Sequence, residues 1–297
     1  MNITNRRYKM LTDFVRVHRF LQETYDPVTL NSYLLPQYFE YAHTHPRFNS
    51  KLTHRFGLWE DNGSVVGIVC YEMDLGENHL HVGKGYETLI ADLLKWAERE
   101  LWAQKDGKRE ISVWITDKEP QKRQLLIDNN YCLDSSYPVK IFEYKNSFSK
   151  RSLPDGFSLI DGSNVDYKKL HACFWKGFDH GDTPDGDVDG NIQMCNSPNA
   201  DMSLMTIAVA PNGDYACALG MWFDKLNKYA YLEPLATVPE YRRMGLATVT
   251  LTEAMKKTKA LGAEYCFGGG REFYSAIGFR EICNRELWKK ELETPGV

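Results

Sequence analysis

The order of apolar runs in the first half of the chain returns in the second, and this repetition constrains the fold more than any single motif. In the second half, residues 157–160 read as a strand and 167–177 as a helix. Runs 204–209 and 216–223 flank Pro211-Asn-Gly-Asp214, a hairpin signal. A strand over 229–238 follows, then a helix over 247–260 with Ala247, Leu251, Ala254 and Met255 on one face. Runs 264–267, 272–277 and 279–286 close the half as strand, helix and strand.

The first half gives the same series. A strand is expected over 7–11, a helix over 13–23 with Asp13 as N-cap, and a second helix over 33–41. A hairpin joins 57–59 to 65–71 through Glu60-Asp-Asn-Gly63. An amphipathic helix over 86–102 carries Leu89, Leu93, Leu94, Trp96 and Leu101, followed by strand 110–115, helix 121–128 and strand 139–144. Residues 146–156, rich in serine, charge, proline and glycine, read as a linker. The expected division is a domain over 1–145, the linker, and a domain over 157–297, the product of an internal duplication.

A chain of 297 residues is comfortable for two domains, and 43% hydrophobic with 26% charged residues describes a soluble globular protein. The net charge of −4 gives no pull toward nucleic acid or an anionic membrane. Seven cysteines, odd in number and with no C-x-x-C pair, fit reduced thiols of a cytoplasmic protein better than a disulfide frame. No apolar run reaches 18 residues, and 1–10 lack a signal-peptide core, so neither a span nor a leader is expected.

The chemistry concentrates in Tyr231-Leu-Glu-Pro-Leu-Ala-Thr-Val-Pro239-Glu-Tyr-Arg242-Arg243-Met-Gly245-Leu-Ala247-Thr248, a strand that turns into a helix through basic residues and a glycine. A helix start offers unpaired N–H groups and a positive dipole end, which suit a diphosphate. Gly245 lets the backbone approach a ligand, and Arg242 and Arg243 can add charge-assisted hydrogen bonds. Pro234 removes a ladder donor from the strand and marks a bulge. A second stretch follows, Gly268-Gly-Gly-Arg271-Glu-Phe-Tyr274-Ser-Ala-Ile-Gly278-Phe279.

These two stretches, in this order, resemble the signature of the GNAT superfamily of acyltransferases. There, Arg/Gln-x-x-Gly-x-Gly/Ala cradles the coenzyme A pyrophosphate, and a helical tyrosine faces the thioester sulfur. The resemblance implies an α/β (α+β) fold of two tandem GNAT-like domains, each a mixed, mostly antiparallel sheet flanked by helices. It implies acetyl-CoA as cosubstrate and direct acetyl transfer to an amine, with a small molecule as the expected acceptor. By the same resemblance, the N–H of Ala236 sits near the acetyl carbonyl and that of Val238 binds pantetheine, with Thr237 between them. The N–H groups of Arg243, Met244, Gly245, Leu246, Ala247 and Thr248 hold the pyrophosphate. Glu233 is the candidate base and Tyr274 the candidate acid. The sequence departs from the family at Gly268, where an asparagine is frequent.

Aligning the halves sets Tyr86 against Arg242, Leu89 against Gly245 and Leu126 against Tyr274. The first copy therefore lacks the arginine, glycine and tyrosine together and reads as a degenerate domain kept for packing or for closing the acceptor site. Trp175, Phe178, Asp179 and His180, at the end of a helix, are the candidate acceptor contacts, aromatic and acidic as suits a cation. Asp185-Gly-Asp187-Val-Asp189-Gly190 mimics a calcium loop but has Asn196 at its twelfth position, so no metal site is expected there. His43 with His45 and His79 with His81 lack a third ligand in a recognisable frame. Two other readings stay open: a coenzyme A-binding sensor or scaffold without catalysis, and an acyltransferase with another donor or acceptor. Whether whole chains pair as a homodimer is not fixed by the sequence.

Overall fold

The structure, a computed structural model, describes residues 2–293. Two compact units appear, Met1–Pro138 together with Cys283–Val297, and Val139–Ile282. The first contains β1 (Ile3–Arg7), α1 (Met10–Glu23), α2 (Pro36–Thr44), β2 (Gly57–Asp61), β3 (Ser64–Tyr71), β4 (Glu77–Val82), α3 (Ile90–Glu100), β5 (Ala103–Lys105), β6 (Lys108–Thr116) and α4 (Pro120–Asp128). After β7 (Cys132–Glu143) come β8 (Ser158–Asp161), α5 (Tyr167–Gly177), α6 (Val188–Cys195), β9 (Thr206–Val209), β10 (Tyr215–Asp224), β11 (Tyr229–Thr237), α7 (Leu246–Ala260), β12 (Tyr265–Gly268), α8 (Glu272–Ala276) and β13 (Arg280–Leu292).

The order of strands is the same in the two units. In the first unit it is β1-β2-β3-β4-β6-β13, and in the second β8-β9-β10-β11-β12-β7. Each sheet is antiparallel except for one parallel pair, β4 with β6 and β11 with β12. The last strand of each half serves the other unit. Lys140–Glu143 of β7 pair with β12, and Arg285–Leu292 of β13 pair with β6. The compact units thus differ from a cut at 146–156 by one exchanged strand each.

In the second unit the period-two alternation of β10 sets up three layers. Ala218 faces α5, packing with Leu170, Cys173, Phe174 and Ala236. Leu219 and Met221 face the other way, onto Leu251, Ala254 and Met255 of α7 and onto Tyr274 and Phe279. Asp166 caps α5 by accepting from Lys168 N and Lys169 N.

Several boundaries in the first unit differ from expectation. The strand expected over 7–11 lies at Ile3–Arg7, because α1 starts at Met10 with Lys9 as its N-cap. Asp13 is not the cap. Its buried carboxylate reaches back to Lys9 N (2.8 Å) and takes Arg6 at 2.6 Å and Arg16 at 3.0 Å. The helix expected over 33–41 begins instead at Pro36, a favoured first helical residue. His43 lies in its last turn. The helix expected from residue 86 begins as α3 at Ile90, because Glu87 turns back to accept from Gly85 N at 2.9 Å. In the second unit the stretch that mimics a calcium loop runs into α6, a helix capped by Asp187.

Candidate active site in the second unit

β10 and β11 are in register from Cys217↔Thr237 to Leu219↔Leu235, and again from Met221↔Leu232. Between those blocks Glu233 and Pro234 oppose the single residue Gly220, so Pro234 does sit in a bulge, with a cis Glu233–Pro234 bond. Gly220 is required there: a Cβ on it would collide with the Glu233 carbonyl and lie 3.1 Å from Pro234 Cδ. β11 pairs with β12 only over Tyr229–Tyr231. Beyond Tyr231, β11 keeps a strand partner on its β10 side alone.

This edge corrects the assignment of amides. Val238 N donates to Ala216 O at 3.0 Å, on the β10 side. Antiparallel pairing alternates with period two, so Ala236, opposite Ala218, also turns its N–H toward β10. The amides directed to the open edge are those of Leu235 and Thr237. Leu235 was missed because alternation within the strand cannot be phased from sequence once a bulge intervenes.

The turn after β11 is shaped for an anion. Arg243 and Gly245 have φ of 65° and 87°, and Gly245 is the N-cap of α7. No side chain caps α7 and no acid lies in its first turn, so the N–H groups of Leu246, Ala247 and Thr248 lack intrahelical partners and are offered outward. Leu246 is buried in a cluster with Ala210, Ala216 and Cys217 and anchors the helix start. Arg243 and Met244 are exposed at the turn, and Thr248 is buried. Arg242 is committed elsewhere. Its Nε donates to Thr237 O (3.2 Å), and its Nη2 to Gly177 O (3.0 Å) and Asp179 Oδ1 (2.7 Å).

That arginine joins the candidate acceptor residues to β11. Gly177 sits tightly on the strand, where a Cβ would lie 2.7 Å from Ala236 Cβ. Trp175 and His180 rings lie 5.2 Å apart, Phe178 and His180 6.5 Å apart, and Phe178 is exposed. Among the described residues, Trp175 Nε1 is buried without a hydrogen-bond partner. Asp179 is the partner of Arg242.

Tyr274 is buried, its ring 5.1 Å from Phe273 and 5.2 Å from Phe279. It shares a core with Leu232 and Leu235, the residues flanking Glu233 and Pro234. Glu233 itself is half-buried in the bulge. The departure at Gly268 has a steric reason. A Cβ on Gly268 would lie 2.7 Å from Tyr274 Cδ1 and one on Gly269 2.7 Å from Tyr274 Cε2, so the ring lies flat on two glycines.

Cys217, opposite Thr237 on β10, accepts a contact from Thr237 Oγ1 at 3.3 Å, and burial pushes its thiol up, keeping it protonated. Two aspartates of the calcium-like loop are used structurally. Asp185 pairs with His171 (3.0 Å) and Asp187 caps α6 through Gly190 N (3.1 Å). Among the described residues, no group of three metal-binding side chains is arranged to hold an ion, and no helix is long and apolar enough to cross a membrane.

The first unit holds a cavity of about 940 Å³, lined among others by Asp26, His81, Glu87, Glu119 and Lys122. At its turn the anion is already supplied by the chain, as the Glu87 carboxylate on Gly85 N. Glu119 takes Thr116 N (2.8 Å), Ser32 Oγ (2.9 Å) and Lys122 (2.6 Å). Leu126 stands where Tyr274 stands: Tyr131 N donates to Leu126 O as Phe279 N does to Tyr274 O.

Residues 170–279 match the model of the acetyltransferase (GNAT) family. The matched residues all lie in the second unit; the first unit repeats its strand order with Tyr86, Leu89 and Leu126 in place of Arg242, Gly245 and Tyr274. A GCN5-related N-acetyltransferase from Sphaerobacter thermophilus shares the fold, with a TM-score of 0.63 at 13% identity over 99% of this chain and 97% of that one. A tandem GNAT protein from the clavulanic acid biosynthesis pathway gives 0.63 at 12% identity over 99% and 100%. Saccharomyces cerevisiae N-myristoyltransferase, solved with myristoyl-CoA, gives 0.55 at 10% identity over 99% and 80%. At these identities the likeness is one of fold. No curated protein matches the chain in sequence.

Proposed function

We propose that the second unit transfers an acetyl group from acetyl-CoA directly to the amine of a small molecule. The observation that carries this reading is the open edge of β11 leading into an uncapped turn. One ligand with a peptide-like arm and a diphosphate satisfies both: the arm pairs with the Leu235 and Thr237 amides, and the diphosphate takes the amides of the Arg243–Thr248 turn.

Glu233, at the bulge beside this edge, takes a proton from the bound ammonium, directly or through water, and the neutral amine then attacks the thioester carbonyl carbon to form the C–N bond. The amide of Leu235 or Thr237 then donates to the carbonyl oxygen as negative charge develops on it. The C–S bond breaks as the Tyr274 hydroxyl gives its proton to the departing sulfur, and the second proton shed by the nitrogen restores the phenol. Atoms balance without an acyl-enzyme, and the buried thiol of Cys217 fits that direct route. The acceptor enters past Trp175, Phe178 and His180, whose faces suit an amine.

Steady-state acetylation of an amine panel tests the reading. Glu233→Gln and Tyr274→Phe should each lower kcat by about a hundredfold. Full activity with unchanged pH profiles in both variants would overturn the roles. Tight acetyl-CoA binding with no turnover of any amine would favour a sensor.

A further inference from the structure

Arg151 lies in the 146–156 segment, outside every helix and strand, and belongs to the same unit as the turn. Its side chain lies directly over Gly245: a Cβ on that glycine would collide with Nε and Cζ of Arg151 and lie 2.7 Å from its Cδ. Among the described residues the Arg151 guanidinium has no hydrogen bond or ion pair, although its backbone N–H donates to Ser149 Oγ at 3.2 Å.

This placement is unfavourable for an empty protein. A helix start carries partial positive charge, and cations are favoured at the opposite end. Among the described residues Arg243 adds a second guanidinium without a partner, and the carboxylate of Asp179 is taken by Arg242. With Arg242 turned toward α5, it is not the residue that supplies side-chain charge over the turn.

We infer that Arg151 is the diphosphate clamp of this domain. Its guanidinium covers Gly245 when the turn is empty, swings off the backbone as a diphosphate approaches the amides, and pairs with the phosphate oxygens from the outer side. The fork geometry of an arginine suits two phosphate oxygens at once. The inference rests on the reading of the turn as a coenzyme A cradle, but it is narrower: it assigns the counter-charge to Arg151.

Calorimetric titration of wild type, Arg151→Ala and Arg151→Lys with acetyl-CoA, pantetheine and inorganic pyrophosphate tests it. Arg151 is exposed, so a thermal melt within error of wild type is expected for both variants. Arg151→Ala should raise Kd for acetyl-CoA and pyrophosphate about tenfold or more, flatten the salt dependence, and leave pantetheine unchanged. Arg151→Lys should recover only part of the loss. Equal or tighter acetyl-CoA binding by Arg151→Ala would overturn the clamp and reduce the side chain to a cover. Equal weakening for pantetheine would also overturn it, since a general disturbance of the turn would then be responsible. Failure of the wild type to bind acetyl-CoA would refute the proposed function. In that case Arg151-dependent pyrophosphate binding would still support the clamp, and no pyrophosphate binding would end it.

Discussion

Gly269→Ala is the sharpest small perturbation of the proposed acid. The added Cβ would stand 2.7 Å from Tyr274 Cε2, short of ordinary contact at 3.4 Å by about 0.7 Å. Neither Gly268 nor Gly269 has positive φ, so the cost is steric and not one of backbone conformation. Tyr274 is packed by Phe273 and Phe279, and its ring can move only by tilting away from the glycines. Overpacking of this kind costs about 1–3 kcal/mol, a fall in Tm of several degrees for a domain of this size. A hydroxyl displaced by close to 1 Å loses about a hundredfold in rate. Gly269→Ala should therefore lower kcat strongly while leaving Kd for acetyl-CoA within about twofold, because the turn at Gly245 is untouched. Combining it with Tyr274→Phe should add little further loss, since the hydroxyl is already out of place. Steady-state kinetics with thermal melts on the three variants decide the matter. Wild-type kcat and Tm in Gly269→Ala, or full additivity in the double variant, would refute the reasoning.

Arg242→Ala should raise the acceptor KM about fivefold or more and change acetyl-CoA affinity little, because its partners are Gly177, Asp179 and Thr237; the reverse pattern in a full kinetic matrix would contradict this. Gly220→Ala should destabilise by at least about 1–3 kcal/mol, read by denaturant melts, because the new Cβ meets the Glu233 carbonyl in the bulge. Burial holds the imidazoles of His43 and His79 down, to about 4 and about 3, and pushes His81 well below its usual value. Their folded pKa values lie below the unfolded value near 6.5, so this contribution is complete above that pH and is lost as pH falls toward 4. Each histidine costs up to about 1.4 kcal/mol per pH unit in that window. Glu72, whose carboxyl burial pushes up, offsets part of this. Melts from pH 7 to 4.5 should show a falling Tm, and a flat profile would contradict the burial argument.

Local signals were legible wherever one residue decides the conformation. α5 has the expected bounds because Asp166 caps it and its apolar stripe is regular. The bulge at Pro234 and the turn at Gly245 were legible because proline lacks a donor and glycine tolerates positive φ. Features set by tertiary pairing were not. The exchange of β7 and β13 depends on which edge each strand meets, and nothing in their composition encodes that. The phase of the β11 amides depends on the bulge register, so Ala236 and Val238 were chosen where Leu235 and Thr237 face the edge. α6 was hidden in an aspartate-rich stretch where Asp187, read as a calcium ligand mimic, serves as the cap. Arg151 lies in a segment that reads as linker, and only its packing on Gly245 gives it a role.

The central claim is one acetyl-CoA site per chain, built on the turn at Gly245. Calorimetric titration of acetyl-CoA into the wild type and into Gly245→Glu, with circular dichroism to confirm folding, tests it most directly. A stoichiometry of about one is expected in the wild type, with loss of binding in the variant, where a carboxylate stands at the start of α7. Two sites per chain, binding that survives in the folded variant, or no binding at all would contradict it.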